Sequence, residues 1–160
     1  MTEKMGRFGI GIQWALISIA YCAFTFVLLF SNPQFFGIHG IPSWILTSVG
    51  ILLIVIGIPF YMAGGIAVQR AYNAGKLCTA GIFSLCRHPT YAGWVIFVVP
   101  GIMLLFRSWI GLTAVPFMYI TLRIMVRKED KYLEQKFGDE FIEYKKRVPA
   151  VFPLDWLKRK

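Results

Sequence analysis

A chain of 160 residues that is 57% apolar, 16% charged and carries a net charge of +9 is too apolar and too sparsely charged for an ordinary water-soluble domain, where about 45–50% and about 25% are usual. The bilayer is its solvent. Its basic residues flank apolar runs, as membrane topology requires, instead of alternating with aromatics along a wet face as in a nucleic-acid-binding domain. Cys22, Cys78 and Cys86 are odd in number and lack metal-ligand spacing, so neither a disulfide framework nor a metal site is indicated.

In chain order, Ile10 to Phe30 is broken only by Gln13, Ser18 and Thr25. About 20 apolar helical residues cross a hydrocarbon core, so this is a first span. It is too long for the apolar part of a secretory signal and lacks a small-residue cleavage site after it. Ser31 to Ser43, with Pro33, Gly37, Gly40 and Pro42, is a loop in which His39 is an ordinary loop residue. Trp44 to Val68 is a second span; Gly50, Gly57, Gly64 and Gly65 allow close helix approach, and Pro59 is a point of kinking. Gln69 to Arg87 is polar and glycine-containing, a loop or short irregular segment.

From Trp94 to Ile124 the chain is apolar again except at Arg107 and Ser108. A straight helix of that length would reach about 45 Å against a core of about 30 Å. A turn at Arg107-Ser108-Trp109 therefore divides it into a short hairpin, with Pro100 and Pro116 as kink points and Arg107 as a loop-tip anchor. The expected fold is an all-α integral membrane domain over 1–160, with about four transmembrane helices near 10–30, 44–68, 90–106 and 109–126. A cytosolic amphipathic helical tail over 127–160 follows. Lys4, Arg7, Arg70, Lys76, Arg87 and the tail fall on one side, while the opposite loops carry only Arg107. The positive-inside pattern places both termini in the cytoplasm and the polar segments near the cytosolic leaflet.

In the tail, Leu133, Phe137, Phe141, Tyr144 and Val148 recur every three or four residues on an otherwise charged helix, and Gly138-Asp139 suggests one helix stopping and another starting. Such a stripe either lies on the membrane surface or folds back as a lid.

Two segments carry chemistry. Arg87-His88-Pro89-Thr90-Tyr91-Ala92-Gly93 opens directly into the third span. An interfacial belt would account for Tyr91 and Trp94 but not for His-Pro. Pro89 pre-sets a helix start, leaving His88 at an N-terminus where backbone N–H groups favour an anion, though nothing local identifies a partner for the imidazole. Glu129-Asp130 is the first acidic site after Glu3. Arg127, Lys128 and Lys131 could satisfy it on a solvated face. Yet adjacent helical residues point about 100° apart, so one acid can face the bundle while the other meets a second group, a pair able to hold an ammonium or a ribose.

Thr79 to Gly93, then Glu129-Asp130 with Leu133, then Phe137 to Pro149 together resemble the isoprenylcysteine carboxyl methyltransferase family, whose wider superfamily includes phospholipid N-methyltransferases. The resemblance implies an integral-membrane enzyme that uses S-adenosyl-L-methionine and methylates a lipophilic acceptor. The first choice of acceptor is the carboxylate of a prenylated cysteine, and the alternative is a phospholipid amine. It implies cofactor contacts from Gly81, Arg87, His88, Tyr91, Gly93, Glu129 and Asp130. In two places the chain departs from the family: Asp130 stands where a second Glu is usual, and Met125 stands where carboxyl-methylating members carry Arg. The basic residues near that position are Arg123 and Arg127, which with Glu129 are the candidate catalytic residues. The rivals are weaker. Sterol reductases, which use NADPH, share an Arg-His-Pro-like segment but have many more spans, and a multispan transporter or scaffold would bind no cofactor; a proton-coupled carrier would also bury an acid within a span.

Overall fold

The computed structural model describes residues 10–151, and among these every regular element is helical. Lys4, Arg7 and Pro153 lie outside the described residues, as does the tail beyond 151. Helix α1 (Gly11–Ser31) is followed by one turn, α2 (Pro33–Phe36), and then by the long α3 (Ser43–Asn73), which passes through Pro59 without a break. A loop leads to a 3-10 turn at Gly81–Ser84. Next come α4 (Pro89–Gly93), a wider π turn at Trp94–Val98 and α5 (Val99–Leu105), which together form one apolar helix over Pro89–Leu105. The short α6 (Trp109–Leu112), α7 (Ala114–Phe137) and α8 (Asp139–Arg147) complete the order.

Three of these helices, Gly11–Ser31, Ser43–Asn73 and Trp109–Phe137, are long and apolar enough to cross a membrane, and Pro89–Leu105 is a shorter apolar helix. Their outer faces are greasy. On α3 alone Ile51, Leu52, Val55, Ile58, Met62 and Ile66 are exposed, as lipid contact requires. The protein is an integral membrane protein.

The expected hairpin turn falls at Arg107-Ser108. Arg107 takes φ 52° there, and the Ser108 hydroxyl accepts the Gly111 N–H to cap α6. Pro100 is the second residue after the π turn, and such a turn absorbs the carbonyl that a proline leaves without its helical donor. Pro116 follows the one-residue interruption at Thr113 that separates α6 from α7. It sits in the first turn of α7, where backbone N–H groups have no intrahelical acceptor to lose.

The tail boundary also moves: α7 does not end near 126 but continues unbroken to Phe137. The sequence from Arg127 to Lys136 is made of good helix formers with no Gly or Pro. The onset of charge at Arg127 does not end the helix. Gly138 ends α7 at φ 55°, a left-handed conformation that suits glycine, and α8 begins at the next residue.

Packing follows the sequence periodicities. Gly50 and Gly57 bring α3 against the Pro89–Leu105 helix so closely that an added Cβ would lie 2.8 Å from the Gly101 carbonyl oxygen and 2.6 Å from Phe97 Cβ respectively. Helix α7 buries Ala114, Met118, Leu122, Val126 and Asp130, one residue per turn along a single stripe. Four of these are apolar and join Trp14, Ala92, Val95, Val99 and Met103 in the main core; the fifth is an acid. A second cluster unites Phe83 with Phe141, Tyr144 and Val148, and Leu133 and Phe137 pack against it. The amphipathic stripe of the tail thus folds back onto the Gly81–Ser84 turn.

Candidate active site

The His88 segment and the acidic pair converge. Pro89 occupies the first turn of α4 with His88 as the preceding cap residue, as its fixed φ favours. The chain just before it is tied down by the tail: Arg87 N–H donates to the Pro149 carbonyl at 2.9 Å and His88 N–H to that of Ala150 at 3.1 Å. Two backbone donors that could have met an anion are therefore used internally. The Tyr144 hydroxyl donates to the Phe83 carbonyl at 2.7 Å, and burial pushes its pKa up, so it stays a neutral donor.

The two acids divide as their 100° separation on a helix requires. Asp130 ends the buried stripe of α7 and is 7% exposed. One of its carboxylate oxygens lies 2.9 Å from Arg87 Nη1 and the other 3.4 Å from His88 Nε2. This gives the imidazole the partner that its own segment lacks, 42 residues away in the chain. Both carboxylate oxygens of Asp130 are engaged by protein groups, the Arg87 guanidinium and the His88 imidazole, and the residue does not line the adjoining cavity. Glu129 does line it, and accepts a long 3.4 Å hydrogen bond from the Tyr91 hydroxyl.

That cavity measures ≈ 510 Å³, a volume typical of small-molecule sites, about 300–1,000 Å³. Helix α1 contributes Trp14, whose indole N–H donates to the Met118 carbonyl at 3.2 Å and whose ring meets Tyr91 edge-on at 5.3 Å. Helix α3 contributes Tyr61, Gly65, Gln69 and Tyr72; α4 and its approach contribute Arg87, His88, Thr90 and Tyr91; α7 contributes Glu129, Tyr132, Leu133 and Lys136. Phe137, Phe141 and Tyr144 bring the folded-back tail into the wall. The wall combines one carboxylate, several aromatic faces and a set of cations.

Of the residues expected from sequence, Arg87, His88, Tyr91 and Glu129 line this cavity together. Gly93 is instead buried against Tyr61 of α3, with room at 3.4 Å for an added Cβ, and Gly81 forms the left-handed start of the 3-10 turn at φ 63°. Neither glycine is among the cavity residues. Arg127 is exposed, Arg123 is half-buried, and neither reaches the cavity. Met125 packs against the main core. Among the described residues no cluster of His, Cys, Asp and Glu could hold a metal ion.

Trp14, Tyr72, Lys76, Tyr132 and Lys136 line the cavity without having been singled out from sequence. Tyr132, Leu133 and Lys136 lie three, four and seven residues after Glu129 and so share its helix face, a periodicity signal present in the chain.

Fold and site thus define a helical membrane protein with a half-open ligand cavity at one end, walled by an Arg-His-Pro turn and an acidic helix. Residues 65–135, the segment that contains both, match the isoprenylcysteine carboxyl methyltransferase family. The chain is 26% identical to the protein-S-isoprenylcysteine O-methyltransferase of Rattus norvegicus over 121 residues, which are 70% of this chain and 42% of that protein. It is 27% identical to protein-S-isoprenylcysteine O-methyltransferase B of Arabidopsis thaliana over 123 residues, 69% of this chain and 61% of that one. With the Schizosaccharomyces pombe protein-S-isoprenylcysteine O-methyltransferase it shares 38% identity over 80 residues, 49% of this chain and 33% of that protein. The aligned part therefore spans 33% to 61% of these relatives. No solved structure matches the chain.

Proposed function

We propose that the protein is a membrane-embedded methyltransferase that uses S-adenosyl-L-methionine to methylate the carboxylate of a lipophilic, prenylcysteine-like acceptor. The observation that carries this reading is the convergence of Arg87, His88, Tyr91 and Glu129 on one cavity within the family-matched segment.

The residues present suit the cofactor's groups. Glu129 offers a carboxylate for an ammonium, and the Tyr91, Trp14 and Tyr72 rings offer π faces to a cation. Arg87 lines the cavity, and its guanidinium, held through one Nη by Asp130, is a group appropriate to a carboxylate. When bound, S-adenosyl-L-methionine supplies a methyl group activated by its sulfonium.

The work left to this chain is orientation and exclusion of water, since a carboxylate acceptor needs no base to become nucleophilic. Asp130 fixes Arg87 and His88 in place from outside the cavity, and the tail stripe of Phe137, Phe141 and Tyr144 forms part of the cavity wall. On this reading the site lies at the cytosolic leaflet, where a prenylated chain would enter from the bilayer; the basic flanks and the two cavity lysines support it.

Labelled methyl transfer by the detergent-purified protein tests the proposal. A prenylcysteine acceptor should be methylated, phosphatidylethanolamine should not, and His88→Ala should lower the rate by about tenfold or more. Absence of transfer to the prenylcysteine, or a His88→Ala rate equal to wild type, would overturn it.

A further inference from the structure

The basic side chains on the cavity wall are not equivalent. Arg87 and His88 are committed to Asp130, at 2.9 Å and 3.4 Å. Lys76 and Lys136 line the same cavity without a carboxylate partner among the described residues. Lys76 sits on the loop after α3 and Lys136 on the last turn of α7, so the two approach from different elements.

Lys136 is exposed and has two aromatic neighbours. Its Nζ lies 5.6 Å from the centre of the Tyr72 ring on α3 and 5.2 Å from that of Phe137. A cation seated between two rings keeps its three N–H donors available for an anion while losing little further side-chain freedom. Lys136 follows Glu129 by two helical turns on the same face, about 10 Å along the axis. One face of α7 thus presents an anion at one level and a cation at another. The same cavity is also lined by the apolar or aromatic Ala15, Tyr61 and Trp94, of which Tyr61 and Trp94 are exposed at the bundle surface.

We infer that Lys136, with Lys76 across the mouth, forms an anion subsite that fixes the acceptor's carboxylate while its hydrocarbon lies against the apolar wall. This rests on the methyltransferase reading and supplies the cation that Met125, packed in the core, does not provide. Lys136 is thereby a specificity-determining residue for an anionic acceptor, and Glu129 remains with the methyl donor.

The test uses the full chain in detergent with three probes: an N-acetyl-S-prenylcysteine, its neutral carboxamide as a competitive inhibitor, and S-adenosylhomocysteine. Lys136→Ala should raise the KM for the carboxylate acceptor about tenfold, and Lys136→Arg should recover most of that loss. Inhibition by the carboxamide and affinity for S-adenosylhomocysteine should stay within about twofold of wild type, as a general loss of structure would not allow. An unchanged KM in Lys136→Ala overturns the inference while leaving the methyltransferase reading intact. A selective loss of S-adenosylhomocysteine affinity overturns it by assigning the lysine to the cofactor. If wild type itself neither binds S-adenosylhomocysteine nor transfers methyl, both fall together.

Discussion

The two ends of the helix bundle are fastened in different ways. At the Arg107 end the chain is closed by backbone and aromatic contacts. Ile38 N–H donates to the Arg107 carbonyl, the Trp109 indole N–H donates to the Phe35 carbonyl at 2.8 Å, and Phe35, Phe36 and Trp109 pack ring against ring. At the opposite end closure depends on a buried carboxylate held by an arginine and a histidine from a segment some 40 residues away, with the tail strapped over them. Neutral contacts suffice to turn a chain at an interface. A buried Arg87-Asp130-His88 cluster adds no clear net stability over an apolar core, so its presence at one end marks that end as the place where side-chain orientation matters.

The comparison yields an ordered pair of predictions. Asp130→Ala should have the larger effect, because it leaves the Arg87 guanidinium, 8% exposed, and the His88 ring, 5% exposed, without their partner. A loss of about 3 kcal/mol is expected, read as a lowered unfolding temperature in detergent together with lost S-adenosylhomocysteine binding. Ser108→Ala at the other end should be milder. It removes the cap on α6 and should cost about 1 kcal/mol with no change in cofactor affinity. Equal losses of cofactor affinity from the two variants would erase the distinction between the ends.

The helix starts and turns were legible because each has a local cause. His88-Pro89, the Arg107-Ser108 turn and the Gly138 break depend on a few adjacent residues, and the tail stripe on a periodicity that survives in the fold as the second core cluster. The length of α7 was less legible. The onset of charge at Arg127 was read as the end of an element, whereas helix formers carry the backbone on for another three turns. That Glu129 and Asp130 point to different surroundings follows from helix geometry, but which acid turns inward depends on register. The answer was written in the spacing of Ala114, Met118, Leu122 and Val126, which extends to Asp130 and not to Glu129. Pairing of Asp130 with Arg87 and His88 is a tertiary fact that no local pattern carries. The glycines fall outside the cavity for a related reason: Gly93 packs against α3 and Gly81 makes a turn, places that sequence alone does not separate from contact with a ligand.

The most direct test of the central claim, that one cavity between the Arg-His-Pro turn and the acidic helix holds the methyl donor, is calorimetric titration of the purified protein with S-adenosylhomocysteine, in wild type and in Glu129→Gln. The account predicts saturable one-to-one binding in wild type and at least about a tenfold weaker affinity in Glu129→Gln, with the unfolding temperature unchanged because Glu129 makes only a long bond to Tyr91. Absence of saturable binding in wild type, or equal affinity in the two proteins, would contradict it.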